Sequence, residues 1–127
     1  LAACTGLGEL IEADLEAGAW PLGDRRFDAV VVTNYLWREK LPHIVAAAAP
    51  GGVLLYETFT IGNERFGRPS NPAFLLRPGE LLEAARGLHV VGYEDGLLDA
   101  PTRRVQRIAA VRTLPGDPDA GHHRLVA

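Results

Sequence analysis

The stretch FDAVVV at residues 27–32 places the strongest constraint on the fold, because it is apolar without alternation. A second run of this kind, GVLLYETF, follows at residues 52–59. Continuous apolar strands are typical of parallel sheets that helices cover on both faces. Between the two runs lies the helix-prone LPHIVAAAA, residues 41–49, which Pro50-Gly51-Gly52 brings to an end. The sequence therefore predicts a strand–helix–strand unit whose strands are buried on both faces.

The rest of the chain predicts one further helix and three further strands. A short strand is expected within residues 8–18, and residues 78–87 predict a helix that begins after Pro78. Residues 88–98 and 104–113 predict two strands joined by a short turn, which makes an antiparallel hairpin. This order of elements indicates an α/β domain over residues 1–113, with an open, mostly parallel sheet and a C-terminal antiparallel hairpin. Residues 114–127, rich in Pro, Gly and Asp, predict a mobile tail.

Composition narrows the classes of function. The 127 residues suffice for one domain with a core, and the net charge of −3 is spread along the chain. The absence of a basic stripe disfavours a nucleic-acid partner, and no apolar stretch reaches the length of a membrane helix. The single Cys4 excludes an internal disulfide and a cysteine-cluster metal site, and it fits a cytoplasmic protein. The usual glycine-rich nucleotide loops and hydrolase motifs do not occur in the chain.

Polar residues stand where each predicted strand ends, and ligands of open α/β sheets bind at those carboxyl ends. The candidates are Asp14 with Leu15, Thr33-Asn34-Tyr35, and Glu57. Each has a structural alternative: Asp14 suits a turn, and Asn34 with Tyr35 suits an ordinary polar strand exit. Glu57 suits a salt bridge, although a carboxylate at the end of a buried strand favours a role in a site.

The long segment at residues 60–79 has no predicted helix or strand and is rich in polar and aromatic residues. Loops of this length are commonly lids or binding loops. Asn63, Arg65 and Phe66 are therefore candidates for contact with a substrate, and a plain surface loop is the alternative. Trp37, just after the first apolar strand, suits packing or a substrate contact.

Four segments in this order together resemble the class I S-adenosylmethionine-dependent methyltransferases, and most of all the small bacterial group similar to the tellurite-resistance methyltransferase. The segments are EADLE (12–16), FDAVVVTNYL (27–36), APGGVLLYET (49–58) and the loop NERFGRPSNPAFLLRPGEL (63–81). The resemblance runs over about residues 1–113, and it implies a Rossmann-like sheet of strand order 3-2-1-4-5-7-6.

The resemblance implies S-adenosylmethionine as the cofactor and a small molecule as the methyl acceptor. Asp14 would contact the adenine amino group, and Leu15 would pack on the adenine or hydrogen-bond it through its backbone. Thr33 and Asn34 would approach the methionine part of the cofactor, and Tyr35 would face the cofactor or the substrate. On the substrate side the implied residues are Trp37, Glu57, Asn63, Arg65 and Phe66. A catalytic base is not required, because methyl transfer from a sulfonium depends mainly on positioning.

The chain departs from the family in lacking the first two strands and the glycine-rich turn between them. Residues 1–4 then resemble the end of the helix that precedes the third strand. We expect the strand at 30–32 to have an unpaired edge, and cofactor binding by the 127-residue chain alone to be impaired or absent. Two alternatives remain open: a non-enzymatic α/β module that dimerises through this edge, and another doubly wound enzyme such as a nucleotide-binding reductase.

Overall fold

A computed structural model describes residues 2–5, 10–12 and 23–116 of the chain. The strands are β1 (Ala2–Thr5), β2 (Leu10–Glu12), β3 (Phe27–Thr33), β4 (Ala48–Phe59), β5 (His89–Leu98) and β6 (Arg103–Val111). Two short helices, α1 (Leu41–Ala46) and α2 (Glu80–Ala84), follow β3 and β4 respectively. Single 3₁₀ turns lie at Arg38–Lys40, Asn63–Arg65 and Pro72–Phe74.

The four longer strands form one sheet in the order β3-β4-β6-β5. The β3–β4 pair is parallel, whereas β4–β6 and β5–β6 are antiparallel. This reproduces the 4-5-7-6 part of the strand order that the resemblance implies, so the predicted fold class is confirmed. The sheet of the described residues is mixed rather than mostly parallel. Only β3 and β4 are joined by a helical crossover, and the β5–β6 hairpin makes the other two strand pairs antiparallel.

The amino-terminal residues differ from expectation in one respect and agree in another. Residues 2–5 form the strand β1 instead of the end of a helix. The strand predicted within 8–18 is present as β2, and it pairs with β1 in a separate two-stranded sheet. The backbone of β1 lies beside β3. The outer edge of β3 is therefore not paired within the four-stranded sheet, but another segment of the chain lies next to it. Asp14 and Leu15 lie outside the described residues, as do residues 117–127 of the predicted tail.

The core lies on one face of the sheet, which we call the covered face. Its strand residues include Val30, Val32, Leu54, Tyr56 and Ile108. Ile44 of α1 and Leu81 of α2 pack against them, so both helices cover the same face.

The opposite side of the sheet, which we call the uncovered face, carries no helix of the described residues. Its apolar residues include Ala29, Val31, Val53, Leu55, Val91, Ala109 and Val111. Val31 is half-buried and Leu55 is 42% exposed. The described residues therefore bury these strands on one face, and the apolar side chains of the other face have no cover among the described residues; the prediction of strands buried on both faces is met on the covered face only.

The β3–β4 crossover is tight at Gly52. A Cβ atom there would lie 2.8 Å from the carbonyl oxygens of both Ala49 and Phe27. The close approach follows from a register shift between Phe27 and Ala29, which lets residues 49–52 bend against the start of β3. Strand β4 thus begins at Ala48, four residues earlier than predicted. Ala48 and Ala49 favour a helix by local propensity, but the pairing of Ala48 with Phe27 places them in the strand.

Candidate functional site

The exit of β3 presents two polar side chains to solvent at the carboxyl end of the parallel pair. Thr33 is the last residue of β3, and Asn34 follows it in the left-handed region with φ of 55°. Asparagine tolerates this conformation better than most residues. The Asn34 backbone N–H donates to the Glu57 carbonyl at 2.9 Å, which fixes the exit against β4. Both side chains are exposed, so a ligand could reach them.

Tyr35, the third predicted cofactor residue, is placed differently. It is buried, and its carbonyl accepts a 2.6 Å hydrogen bond from the Tyr56 hydroxyl, which is itself buried. Burial, reinforced by Tyr35 nearby, raises the pKa of the Tyr56 hydroxyl, so it remains a protonated donor at neutral pH. Tyr35 therefore contributes to the core that supports the exit, whereas Thr33 and Asn34 form its accessible part.

An ion pair that the sequence did not reveal joins the β3 exit to the segment after β4. The Arg38 guanidinium donates to the Glu80 carboxylate through Nε at 2.8 Å and Nη2 at 3.0 Å. It also donates to the carbonyls of Ala73 at 3.2 Å and Leu75 at 2.8 Å. This bidentate geometry is the strong form of an ion pair. One side chain thus holds the end of the long loop and the first turn of α2 together.

The Glu80 carboxyl remains ionised despite its burial. Burial alone would raise its pKa, but the hydrogen bonds from the Arg38 side chain and the Arg77 backbone N–H outweigh that effect, and the pKa lies below its ordinary value. The same pairing with Glu80 raises the pKa of Arg38. No short sequence motif could have revealed this pair, because its members are 42 residues apart.

The long loop is anchored from the inside by Asn63, one of the predicted substrate-side residues. Its buried side chain accepts from the Arg104 backbone N–H at 3.0 Å and donates to the Pro69 carbonyl at 3.0 Å. Its amide is thus committed to the structure of the loop. Arg65 and Phe66 next to it are exposed, and their side chains are available to a ligand.

A buried amide on β6 fixes the second half of the loop. Gln106 donates to the Thr60 hydroxyl at 2.8 Å and to the Arg77 carbonyl at 2.7 Å, and it accepts from the Leu81 N–H at 3.4 Å. Thr60 also pairs with Leu76 as an isolated parallel bridge. The loop therefore has a rigid base, from which only part of its residues project into solvent.

Glu57 lies on the uncovered face, in a row of charged residues that crosses three strands. Arg107 on β6 is 3.5 Å from the Glu57 carboxylate and donates to Glu94 on β5 at 2.7 Å. These residues border a shallow groove of about 490 Å³ whose floor includes Val31 and Leu55. Glu57 thus forms the salt bridge that was its structural alternative, and it stands beside Thr33 in register across the parallel pair.

Of the predicted site residues that the structure describes, Thr33, Asn34 and Glu57 come together at the carboxyl end of β3 and β4. Trp37 is partly exposed on the segment that leaves this edge. Among the described residues no group of three or more His, Cys, Asp or Glu side chains could hold a metal ion. Nor does any described helix have the length and apolar character to cross a membrane.

Comparisons with known proteins support the fold. No protein-family model and no curated protein matches the chain. Among solved structures, TehB from Haemophilus influenzae is similar with a TM-score of 0.56 and 17% identity, over 70% of this chain and 36% of that chain. A mutant of the 16S rRNA (adenine(1408)-N(1))-methyltransferase from Catenulisporales acidiphilia is similar with a TM-score of 0.52 and 19% identity, over 78% of this chain and 57% of that chain.

These likenesses confirm the methyltransferase-like fold of the four-stranded sheet. The chain spans only about a third to somewhat more than half of the length of the two solved chains. At such identities a shared fold does not carry activity or substrate from one protein to another.

Proposed function

We propose that this chain belongs to a domain that transfers a methyl group from S-adenosylmethionine to a small-molecule acceptor. The observation that carries the proposal is the sheet order β3-β4-β6-β5, with an accessible polar exit at the carboxyl end of β3. In open α/β sheets this is the edge at which ligands bind. The two similar structures have the same fold, and one of them is a methyltransferase by name.

The described residues fit the methionine end of the cofactor. Thr33 offers an exposed hydroxyl and Asn34 an exposed amide, and between them they can donate to a carboxylate and accept from an ammonium group. The role proposed for Asp14 and Leu15 at the adenine lies outside the described residues. Bound at this edge, the cofactor would supply an electrophilic methyl group on sulfur.

The contribution of the chain to the reaction is positioning. The Tyr56 hydroxyl holds the β3 exit in place, and the Arg38–Glu80 pair holds the loop that follows β4. Arg65 and Phe66 project from that loop and, with Trp37, are the proposed acceptor contacts. Displacement at a methyl group gains mainly from orientation, so fixed supports of this kind suit it.

The second candidate is a non-enzymatic module that dimerises through the outer edge of β3. It is favoured by the position of β3 as the outermost strand of the main sheet. The four-stranded sheet does not pair the outer edge of β3, so another strand can add there if it displaces the backbone of β1, which lies beside that edge. A concentration-dependent dimer in sedimentation velocity, lost when a proline replaces Val31, would support this candidate, and a monomer throughout would eliminate it.

Two binding measurements on the 127-residue chain test the cofactor proposal. Calorimetry at micromolar protein is expected to give no heat with S-adenosylmethionine, since only one strand end of the described part presents accessible cofactor-side groups. Amide NMR spectra with millimolar S-adenosylmethionine are expected to shift at Thr33 and Asn34. Thr33→Ala should remove those shifts, whereas Thr102→Ala, in the distant hairpin turn, should not. Shifts confined to other residues would refute the proposed site, and tight binding would refute the expected impairment.

A further inference from the structure

A groove of about 500 Å³ lies between α1 and α2, and we call it the interhelical groove. It contains none of the candidate cofactor or acceptor contacts, so it is separate from the exit of β3. Its size lies in the range of small-molecule sites, which combine apolar walls with a few polar groups. The apolar part of its wall consists of Leu41, Pro42, Val45, Ala46 and Ala84.

The charged part of the wall has an excess of positive charge. It consists of four arginines and two glutamates: Arg38, Arg77, Arg86, Arg112, Glu80 and Glu83. The bidentate pair of Arg38 with Glu80 contributes no net charge. The other three arginines therefore accompany one remaining carboxylate, and the excess is two positive charges on a chain whose net charge is −3. Such a local excess attracts an anion.

The Arg112 guanidinium is held in a fixed orientation on this wall. Its Nε donates to the Ala48 carbonyl at 2.8 Å, and its Nη2 donates to the Val45 carbonyl at 3.0 Å. Within the described part of the chain, no carboxylate forms an ion pair with Arg112. A side chain that is already ordered loses little conformational freedom when a ligand binds. Arg112 is therefore a pre-oriented, partly buried cation for an oxyanion.

Charge and shape together indicate the class of anion. A phosphate monoester carries close to two negative charges at neutral pH and three acceptor oxygens, which match the charge excess and the guanidinium geometry. A carboxylate would balance only half of the excess, and free phosphate has no group to place on the apolar wall. We propose that the interhelical groove binds a small phosphate monoester. Its phosphate lies at Arg112, in the field of Arg77 and Arg86, and its apolar group packs on Pro42 and Ala46.

The test uses phenyl phosphate as the probe, titrated into the isotope-labelled 127-residue chain at neutral pH and followed by amide NMR. Saturable shifts are expected at Ala46, Ala84 and Arg86. Benzylamine, which has a similar size and the opposite charge, should shift none of these signals. Inorganic phosphate should bind more weakly by about fivefold or more, because it leaves the apolar wall uncovered.

Substitutions of arginine separate the groove from general attraction of anions. Arg112→Gln should weaken binding of phenyl phosphate by about tenfold, as expected for the loss of a charged hydrogen bond. Arg103→Gln is the matched control, because Arg103 on the same strand also donates to two backbone carbonyls, those of Asp99 and Pro101, but lies outside the groove. Its affinity should equal that of the unmodified chain. Arg86→Gln, at an exposed position, should weaken binding by about threefold.

Melting curves establish that each variant is folded, and Arg86→Gln carries the test if Arg112→Gln unfolds. Equal losses in Arg103→Gln and in the groove variants would overturn the proposal, as would equal shifts with benzylamine. Shifts confined to residues of the uncovered face such as Leu55 and Ala109, or no shifts at about 10 mM probe, would also overturn it. Inorganic phosphate that binds as tightly as phenyl phosphate would show an adventitious ion only, and would refute the monoester.

Discussion

Replacing Arg38 with alanine removes the side chain that joins the β3 exit to α2. The Glu80 side chain is 6% exposed and that of Arg38 is 34% exposed, so the pair spans the boundary of the core. After the substitution one carboxylate oxygen would keep the Arg77 N–H at 2.8 Å. The other would retain only the Arg77 guanidinium at 3.5 Å, which is mostly in water. The carbonyls of Ala73 and Leu75 would also lose a donor.

The expected loss in the free energy of unfolding depends on how far the Glu80 carboxylate stays buried without a partner. Breaking a fully buried pair by removal of one partner costs about 3–5 kcal/mol, because the remaining charge is left uncompensated. One third of Arg38 is already in water, and Arg77 still satisfies part of the carboxylate, so we expect about 2–3 kcal/mol here. For a chain of this size that corresponds to a fall in Tm of roughly 8 °C.

Urea denaturation of the wild-type chain, Arg38→Ala, Glu80→Ala and the double variant measures the pair directly. We expect the double variant to lose less than the sum of the single variants, with a coupling of about 1.5 kcal/mol. Arg107→Ala is the control: it removes an ion pair on the exposed surface and should change the midpoint within error. Additive single effects, or a loss from Arg38→Ala no larger than that from Arg107→Ala, would refute the reasoning.

Three further predictions concern the same framework. Folding lowers the pKa of Glu80, so the ionised carboxylate contributes to stability above the unfolded value near 4.5, and this contribution is lost as the pH falls through the lower folded value. In urea melts the stability advantage of the wild type over Glu80→Gln should therefore shrink below that pH. A difference that stays constant with pH would contradict this. Gly52→Ala should cost about 2 kcal/mol, because its Cβ meets two backbone carbonyls, whereas Gly96→Ala, with open space, should be nearly neutral in thermal melts. Asn63→Ala should cost about 2 kcal/mol by leaving the Arg104 N–H and Pro69 carbonyl unpaired, and equal stability of the variant and the wild type would show that the loop does not need this anchor.

The apolar runs of the sequence predicted the strands well, because the residues of these runs favour a strand by their own local preference. The hairpin of β5 and β6 and the parallel β3–β4 pair were both expected from composition, turn residues and spacing. The helices are shorter than their patterns predicted: α1 ends at Ala46, since β4 takes the following alanines into its ladder. Strand pairing between distant segments overrides a weak helix propensity at such a boundary.

The candidate site was less accessible to sequence reasoning. The end of β3 was identified because polar residues interrupt an apolar run, and Thr33 with Asn34 are exposed there. Sequence pattern did not distinguish them from Tyr35, which is buried, or from Asn63, whose amide serves the loop. Which way a side chain points at a strand exit depends on tertiary contacts, and so does the Arg38–Glu80 pair. Composition likewise showed that both faces of β3 and β4 are apolar, but could not show what covers each of them.

The buried Gln106 has a consequence for how the chain avoids misfolding. Side chains alternate along a strand, so a slip of β6 by one residue would move Arg107 onto the covered face and bring Gln106 out of it. The slipped hairpin would bury a guanidinium and forfeit the three hydrogen bonds that the amide makes to Thr60, Arg77 and Leu81. An aliphatic residue at this position would fill similar space but would make none of these hydrogen bonds. The amide thus ties the register of β6 to Thr60 and to the start of α2, because only the native pairing lets it make these bonds.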